Sequence, residues 1–120
     1  MRLHHAALIV DDLEAAARFY EEVLGLKRDE RPAHDFPGIY YRLAGGAQLH
    51  LMELPDPCGL HARPDHPGRD RHIALSVENL APVRARLEAA GIAWTASRSG
   101  RAAVFVRDPA GNAIELVEEG

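Results

Sequence analysis

Four residues of this chain carry the chemistry of a metal site: His5, His50, His72 and Glu115. Three imidazoles and a carboxylate are the ligand types of a mid-series divalent ion such as Zn, Ni, Fe, Mn or Co. They lie too far apart along the chain to form a local motif, and what connects them is an internal repeat. HHAALIVDDL at 4–13 recurs as RHIALSVENL at 71–80, which sets His72 on His5, Ala74 on Ala7, Leu75 on Leu8 and Val77 on Val10. GAQLHLME at 46–53 recurs as GNAIELVE at 111–118, which sets Glu115 on His50, Leu116 on Leu51 and Glu118 on Glu53. Taken singly, any of these histidines reads better as a surface or hydrogen-bonded residue. The shared register changes that: ligand types fall at equivalent positions in both copies of a duplicated module of about 50 residues.

Each copy reads as βαβββ. In the first module, residues 1–54, a strand over 2–10 alternates Leu3, His5, Ala7 and Ile9 with Ala6, Leu8 and Val10. Asp11 or Asp12 caps a helix over 12–24, whose apolar stripe is Leu13, Ala16, Phe19, Tyr20, Val23 and Leu24, with Gly25 as its stop. Strands are expected over 26–31, 39–43 and 47–54. The second module, 71–120, repeats the plan with a strand over 72–77, a helix from Asn79 to Gly91, and strands over 92–97, 102–107 and 112–118. Between them, PDPCGLHARPDHPGRD at 55–70 is a linker or ordered loop with no core of its own. The expected architecture is α+β: two four-stranded sheets, each with a helix on one face. The histidine-bearing faces, rich in small residues, suit a cavity wall better than a core. Glu53 and Glu118 have the opposite parity to the ligands and read as solvated or structural. His4 has the wrong parity and is the fallback ligand if the register is off by one. His61 and His66 lie in the loop and stand outside the site.

At 120 residues the chain is of single-domain length, and its 47% hydrophobic and 27% charged content is that of an ordinary globular protein. A net charge of −4 without a basic stripe argues against nucleic acid. There is no apolar run of membrane-spanning length and no signal-peptide pattern. Cys58 is the only cysteine, an expected exposed loop thiol, and the cytoplasm is the default location.

The pattern H-x-A-L-x-V-x-[DN]-L at both module starts, FYEEVLGL at 19–26 and FVRDPAGNAIELVE at 105–118 resemble the vicinal oxygen chelate superfamily, the group of glyoxalase I, bleomycin-resistance proteins and extradiol dioxygenases. The resemblance covers all but residues 30–38 and the linker. It implies paired βαβββ modules forming a U-shaped cup around one metal, commonly in a homodimer, with the site built within one chain or across two. His5, His72 and Glu115 match the family's metal positions. The remaining position, glutamate in glyoxalase I and glutamine in an epimerase branch, is His50 here, so Glu115 is the one ligand carboxylate left to move a proton.

Four protein ligands leave two adjacent positions of a six-coordinate metal for the neighbouring oxygens of a small-molecule substrate, whose carbonyl the metal polarises. Proton abstraction beside that carbonyl needs a base about 3 Å away, and Glu115 or His50 can serve. Tyr41 or Tyr40 could donate to the developing oxyanion. Among Arg71, Arg98, Arg101 and Arg107, Arg101 is the first choice for an anionic substrate group, though an exposed structural role is the plainer reading of each. Three functions fit: a metal-dependent glyoxalase-like lyase or isomerase acting on a small α-oxo or vicinal-oxygen compound through an enediolate; an iron-dependent extradiol-type dioxygenase or antibiotic thiol transferase; and a metal-free, bleomycin-resistance-like drug-binding protein. Ligand types at all four positions favour the first.

Overall fold

The computed structural model describes residues 1–58 and 62–119. The chain divides into two compact units, Met1–Leu60 and His61–Gly120.

The first unit contains β1 (His5–Val10), α1 (Leu13–Ala17), β2 (Lys27–Asp29), β3 (Gly38–Arg42) and β4 (Gln48–Glu53), with sheet order β1-β4-β3-β2. The ends of the module pair in parallel, β1 with β4, and the remaining pairings are antiparallel. The expected alternation holds. Val10, Tyr41, Leu49 and Leu51 are buried with the helix residues Ala16, Phe19, Tyr20 and Val23, while His5 and Ala7 are exposed on the other face.

The helix expected over 12–24 is α-helical only through Ala17, after which Arg18–Val23 widens into a π-helix. Leu24 N–H donates to Phe19 O at 3.1 Å. A wider turn advances fewer degrees per residue, so the consecutive Phe19 and Tyr20 both reach the sheet. Leu26 N–H then closes on Tyr20 O at 2.9 Å. That leaves a shorter second strand than expected.

The second unit contains β5 (His72–Val77), α2 (Leu80–Ala89), β6 (Thr95–Ala96), β7 (Ala103–Arg107) and β8 (Ala113–Glu118), in the equivalent order β5-β8-β7-β6. Leu80, Val83 and Leu87 of α2 are buried, as are Val104, Val106, Ile114 and Leu116 of the sheet. The strand expected over 92–97 shrinks to two residues, because Ile92 N–H is spent closing the helix on Leu87 O.

Both modules start their helices with the same device. Glu53 Oε2 accepts from Leu13 N–H at 2.7 Å, and Glu118 Oε2 accepts from Leu80 N–H at 2.8 Å. A carboxylate there satisfies a helix N–H that has no partner within the helix and meets the positive end of the helix dipole. Asp12 and Asn79 cap the following turn, accepting from Ala15 N–H and Ala81 N–H.

Residues 62–70 are more than a linker. Pro67–Arg69 forms a 3-10 turn with Pro67 buried, and Asp70 is clamped by Arg107 at 2.8 Å and Arg63 at 3.3 Å. The Arg107 guanidinium also donates to Gly111 O and Pro64 O. Gly68 packs so closely on the Phe105 ring that an added Cβ would stand 2.9 Å from it. Among the described residues, no helix is long and apolar enough to cross a membrane.

Candidate metal centre

In the first module, three adjacent strands stack three rings. The His50 ring on β4 lies between His5 on β1, with centroids 4.2 Å apart and planes at 16°, and Tyr40 on β3, at 3.5 Å and 1°. His50 Nε2 is 2.9 Å from Gln48 Oε1, and the Gln48 amide nitrogen donates to Asp29 Oδ2 at 3.0 Å. The carboxylate fixes the amide orientation, so Gln48 presents its oxygen and His50 Nε2 carries the proton. The lone pair of a neutral His50 is then on Nδ1. Burial first, then the positive charge of His5, His4, His34 and Arg31, pushes the His50 imidazole below its ordinary pKa, toward the neutral form a metal requires. His4 Nδ1 lies 2.8 Å from His5 Nδ1, so one ring donates to the other.

In the second module, His72 Nδ1 is 2.8 Å from Asp70 O. A carbonyl accepts only, so Nδ1 carries the proton and Nε2 of the neutral ring is a bare lone pair. That nitrogen stands 3.4 Å from Glu115 Oε2. Two acceptors facing each other repel unless a proton or a cation stands with them. An Nδ1–H held by a backbone carbonyl is the usual outer partner of a histidine that binds metal through Nε2. Glu115 is buried, and Phe105 sets its ring edge-on to His72 at 5.3 Å. Arg101 Nη1 is 3.9 Å from Glu115 Oε1, with its side chain largely exposed.

Each module thus brings its own two ligand-type residues together, His5 with His50 and His72 with Glu115. The donor set fits a divalent ion of the nitrogen- and oxygen-preferring kind. Among the described residues, no group of three or more His, Cys, Asp or Glu side chains is gathered in a metal-ready cluster.

Tyr41 differs from its expected role. It is wholly buried on the helix side of its sheet, where its hydroxyl donates to Glu21 Oε2 at 2.8 Å. The tyrosine beside His50 is Tyr40. Strand parity carries the distinction, since Tyr40 pairs with His50 and Tyr41 with Leu49. Of the other arginines, Arg107 is committed to Asp70 and two carbonyls, while Arg71 and Arg98 are exposed. His66 packs edge-on to Phe105, and its Nδ1 accepts from Gly68 N–H at 3.0 Å. Cys58 is exposed as expected, and His61 lies outside the described residues. The sequence gives no role to Gln48 or Asp29. Gln48 shares the face of His50, and that parity was the available signal.

The comparisons with known proteins follow the same lines. The family model for the Glyoxalase/Bleomycin resistance protein/Dioxygenase superfamily matches residues 2–116. Lactoylglutathione lyase of Salmonella typhimurium is 32% identical over 98% of this chain and 93% of its own length. The crystal structure of lactoylglutathione lyase from Agrobacterium tumefaciens superposes with a TM-score of 0.64 at 27% identity, covering 98% of this chain and 92% of that one. The fosfomycin resistance protein FosX of Listeria monocytogenes shares the fold, with a TM-score of 0.77 at 20% identity over 99% of this chain and 91% of that one. The chain belongs to the Glyoxalase/Bleomycin resistance protein/Dioxygenase superfamily.

Proposed function

We propose that the protein is a metal-dependent, glyoxalase-like lyase or isomerase acting on a small α-oxo compound or its thiol adduct, with His5, His50, His72 and Glu115 as the candidate metal ligands. The observation that carries this reading is the His72–Glu115 pair. Its histidine is fixed by Asp70 O with a lone pair toward a buried carboxylate 3.4 Å away. Lactoylglutathione lyases among the relatives support the reaction class. A FosX structure complexed with Mn(II) supports a divalent ion on this fold.

The bound ion would hold two neighbouring substrate oxygens and stabilise negative charge developing at the carbonyl. Glu115 takes the proton from the adjacent carbon on a carboxylate oxygen and returns it to the neighbouring carbon. His50, with Nε2–H held by Gln48, has one lone pair, on Nδ1, which would serve the metal as ligand or, off the metal, the substrate as the second base. Arg101 faces Glu115 and orients the substrate's polar end. Tyr40, flat against His50, fixes the ring plane. A homodimer in the cytoplasm is part of the same reading.

The test is proton exchange beside the carbonyl of an α-oxo aldehyde and its thiol adduct in D2O, followed by NMR with Ni, Zn, Co, Mn or Fe supplied. We expect exchange that needs one of these metals and falls at least a hundredfold in Glu115→Ala. Equal exchange with and without metal, or full activity in Glu115→Ala, contradicts the proposal.

A further inference from the structure

A small cavity opens beside His50, on the first module alone. It has a volume of about 90 Å³ and is lined by Arg31, His34, Phe36, Tyr40, His50 and Met52 among others. A single water needs only about 10–15 Å³, so the space takes a small acid group. Its chemistry is cationic and aromatic. The Arg31 guanidinium carbon sits 5.3 Å from the Phe36 ring centre and 6.0 Å from that of Tyr40. Arg31 Nη2 donates to Phe36 O at 2.8 Å, which holds the guanidinium in place. Arg31 Nε is buried and has no hydrogen-bond partner among the described residues. Nor does any carboxylate among them lie within ion-pair distance of Arg31. At the rim, His34 Nε2 is 3.3 Å from the Tyr40 hydroxyl. Gly38 adjoins the same guanidinium edge: a Cβ there would come within 2.9 Å of Nε and 2.8 Å of Nη2.

A fixed cation with an unused buried N–H, no counter-ion and space beside it is the arrangement that recognises an oxyanion. We infer that this cavity is an anion subsite: the substrate carries a carboxylate or phosphonate that Arg31 holds, with His34 and the Tyr40 hydroxyl at the rim. The subsite deepens the function proposed above and rests on it for the reaction, since it adjoins His50. It narrows the substrate to an acidic α-oxo compound or an acidic thiol adduct. Arg101 stands with Glu115 in the other module, whereas Arg31 has no carboxylate partner among the described residues.

The experiment is an NMR titration of the full chain with acetate and, separately, methylphosphonate, reading the Arg31 Nε–H and the His34 and His50 ring signals. We expect saturable shifts for at least one anion with a Kd of about 1 mM, weakened tenfold or more in Arg31→Gln. Preference for acetate identifies a carboxylate subsite, and preference for methylphosphonate a phosphonate one. The wild-type Arg31 signal is a direct readout that does not depend on the variant folding. The titration is repeated in Glu115→Ala: shifts kept there, with metal uptake lost, separate the anion subsite from the metal reading. Arg31 signals unmoved by either anion at about 10 mM, or equal affinity in Arg31→Gln, overturn the inference while leaving the metal proposal untouched.

Discussion

At the scale of single residues, parity decides roles. Tyr40 and Tyr41 are neighbours in sequence with opposite fates. One lies flat on His50, and the other is wholly buried with its hydroxyl on Glu21. Burial, then the bond to Glu21, raises the Tyr41 pKa, so the phenol remains a donor at every working pH. Glu21 also receives Arg28 at 2.9 Å, and that hydrogen bond first, with Tyr41 assisting against the opposing effect of burial, holds its carboxyl below the ordinary range. Glu21→Ala strands the buried hydroxyl and is expected to cost about 1–3 kcal/mol in denaturant unfolding. Adding Tyr41→Phe to that variant removes the stranded group and should recover part of the loss; no recovery would contradict the assigned bond. Glu21→Gln tests the charge alone. Because the folded pKa is depressed, the carboxylate's contribution is full above the ordinary glutamate range and fades as pH falls through the lower folded value. Wild type should exceed Glu21→Gln by about 0.5–1 kcal/mol at pH 7, a modest figure because the pair is partly exposed, and the gap should close in acid. A gap that widens in acid would reverse the sign.

At the scale of elements, strand alternation and the turn glycines made the βαβββ plan legible in the sequence. The π-helix was not legible: Phe19 and Tyr20 fit an apolar stripe at either helical period, and the choice comes from packing both on one sheet. The helix-starting role of Glu53 and Glu118 was hidden for a different reason. Parallel pairing of the first and last strands carries the end of β4 to the start of α1, and the end of β8 to the start of α2, a proximity that local sequence does not express. Their equivalence in the repeat was the available clue. Glu53→Ala and Glu118→Ala should each cost about 1 kcal/mol, by comparison with helix-cap deletions, and lower Tm by about 4 °C. Thermal unfolding checks this, and an effect in only one of the two would contradict a shared device. The segment before β5 gives a further prediction. Asp70 meets both Arg107 and Arg63, and Asp70→Ala leaves a half-buried Arg107 with carbonyl partners only. We expect a loss of about 2–3 kcal/mol. A loss below about 0.5 kcal/mol, the level of an exposed pair, would place the clamp outside the stabilising structure.

At the scale of the whole molecule, the duplication is the organising fact. It set His5, His50, His72 and Glu115 at equivalent positions as candidate ligands, and each module holds its own pair together. What the repeat could not express is the surroundings that tune them: Asp70 O behind His72, Gln48 and Asp29 behind His50, and the unpaired Arg31 nearby. These partners break the symmetry, since Gln48 aligns with Ala113. The most direct test of the central claim is metal content by elemental analysis of protein purified without chelator, for wild type, His50→Ala and Glu115→Ala. The account predicts about one equivalent of a single transition metal per chain in wild type, with uptake weakened tenfold or more in both variants. No metal at purification and none on titration, or unchanged uptake in both variants, would contradict it.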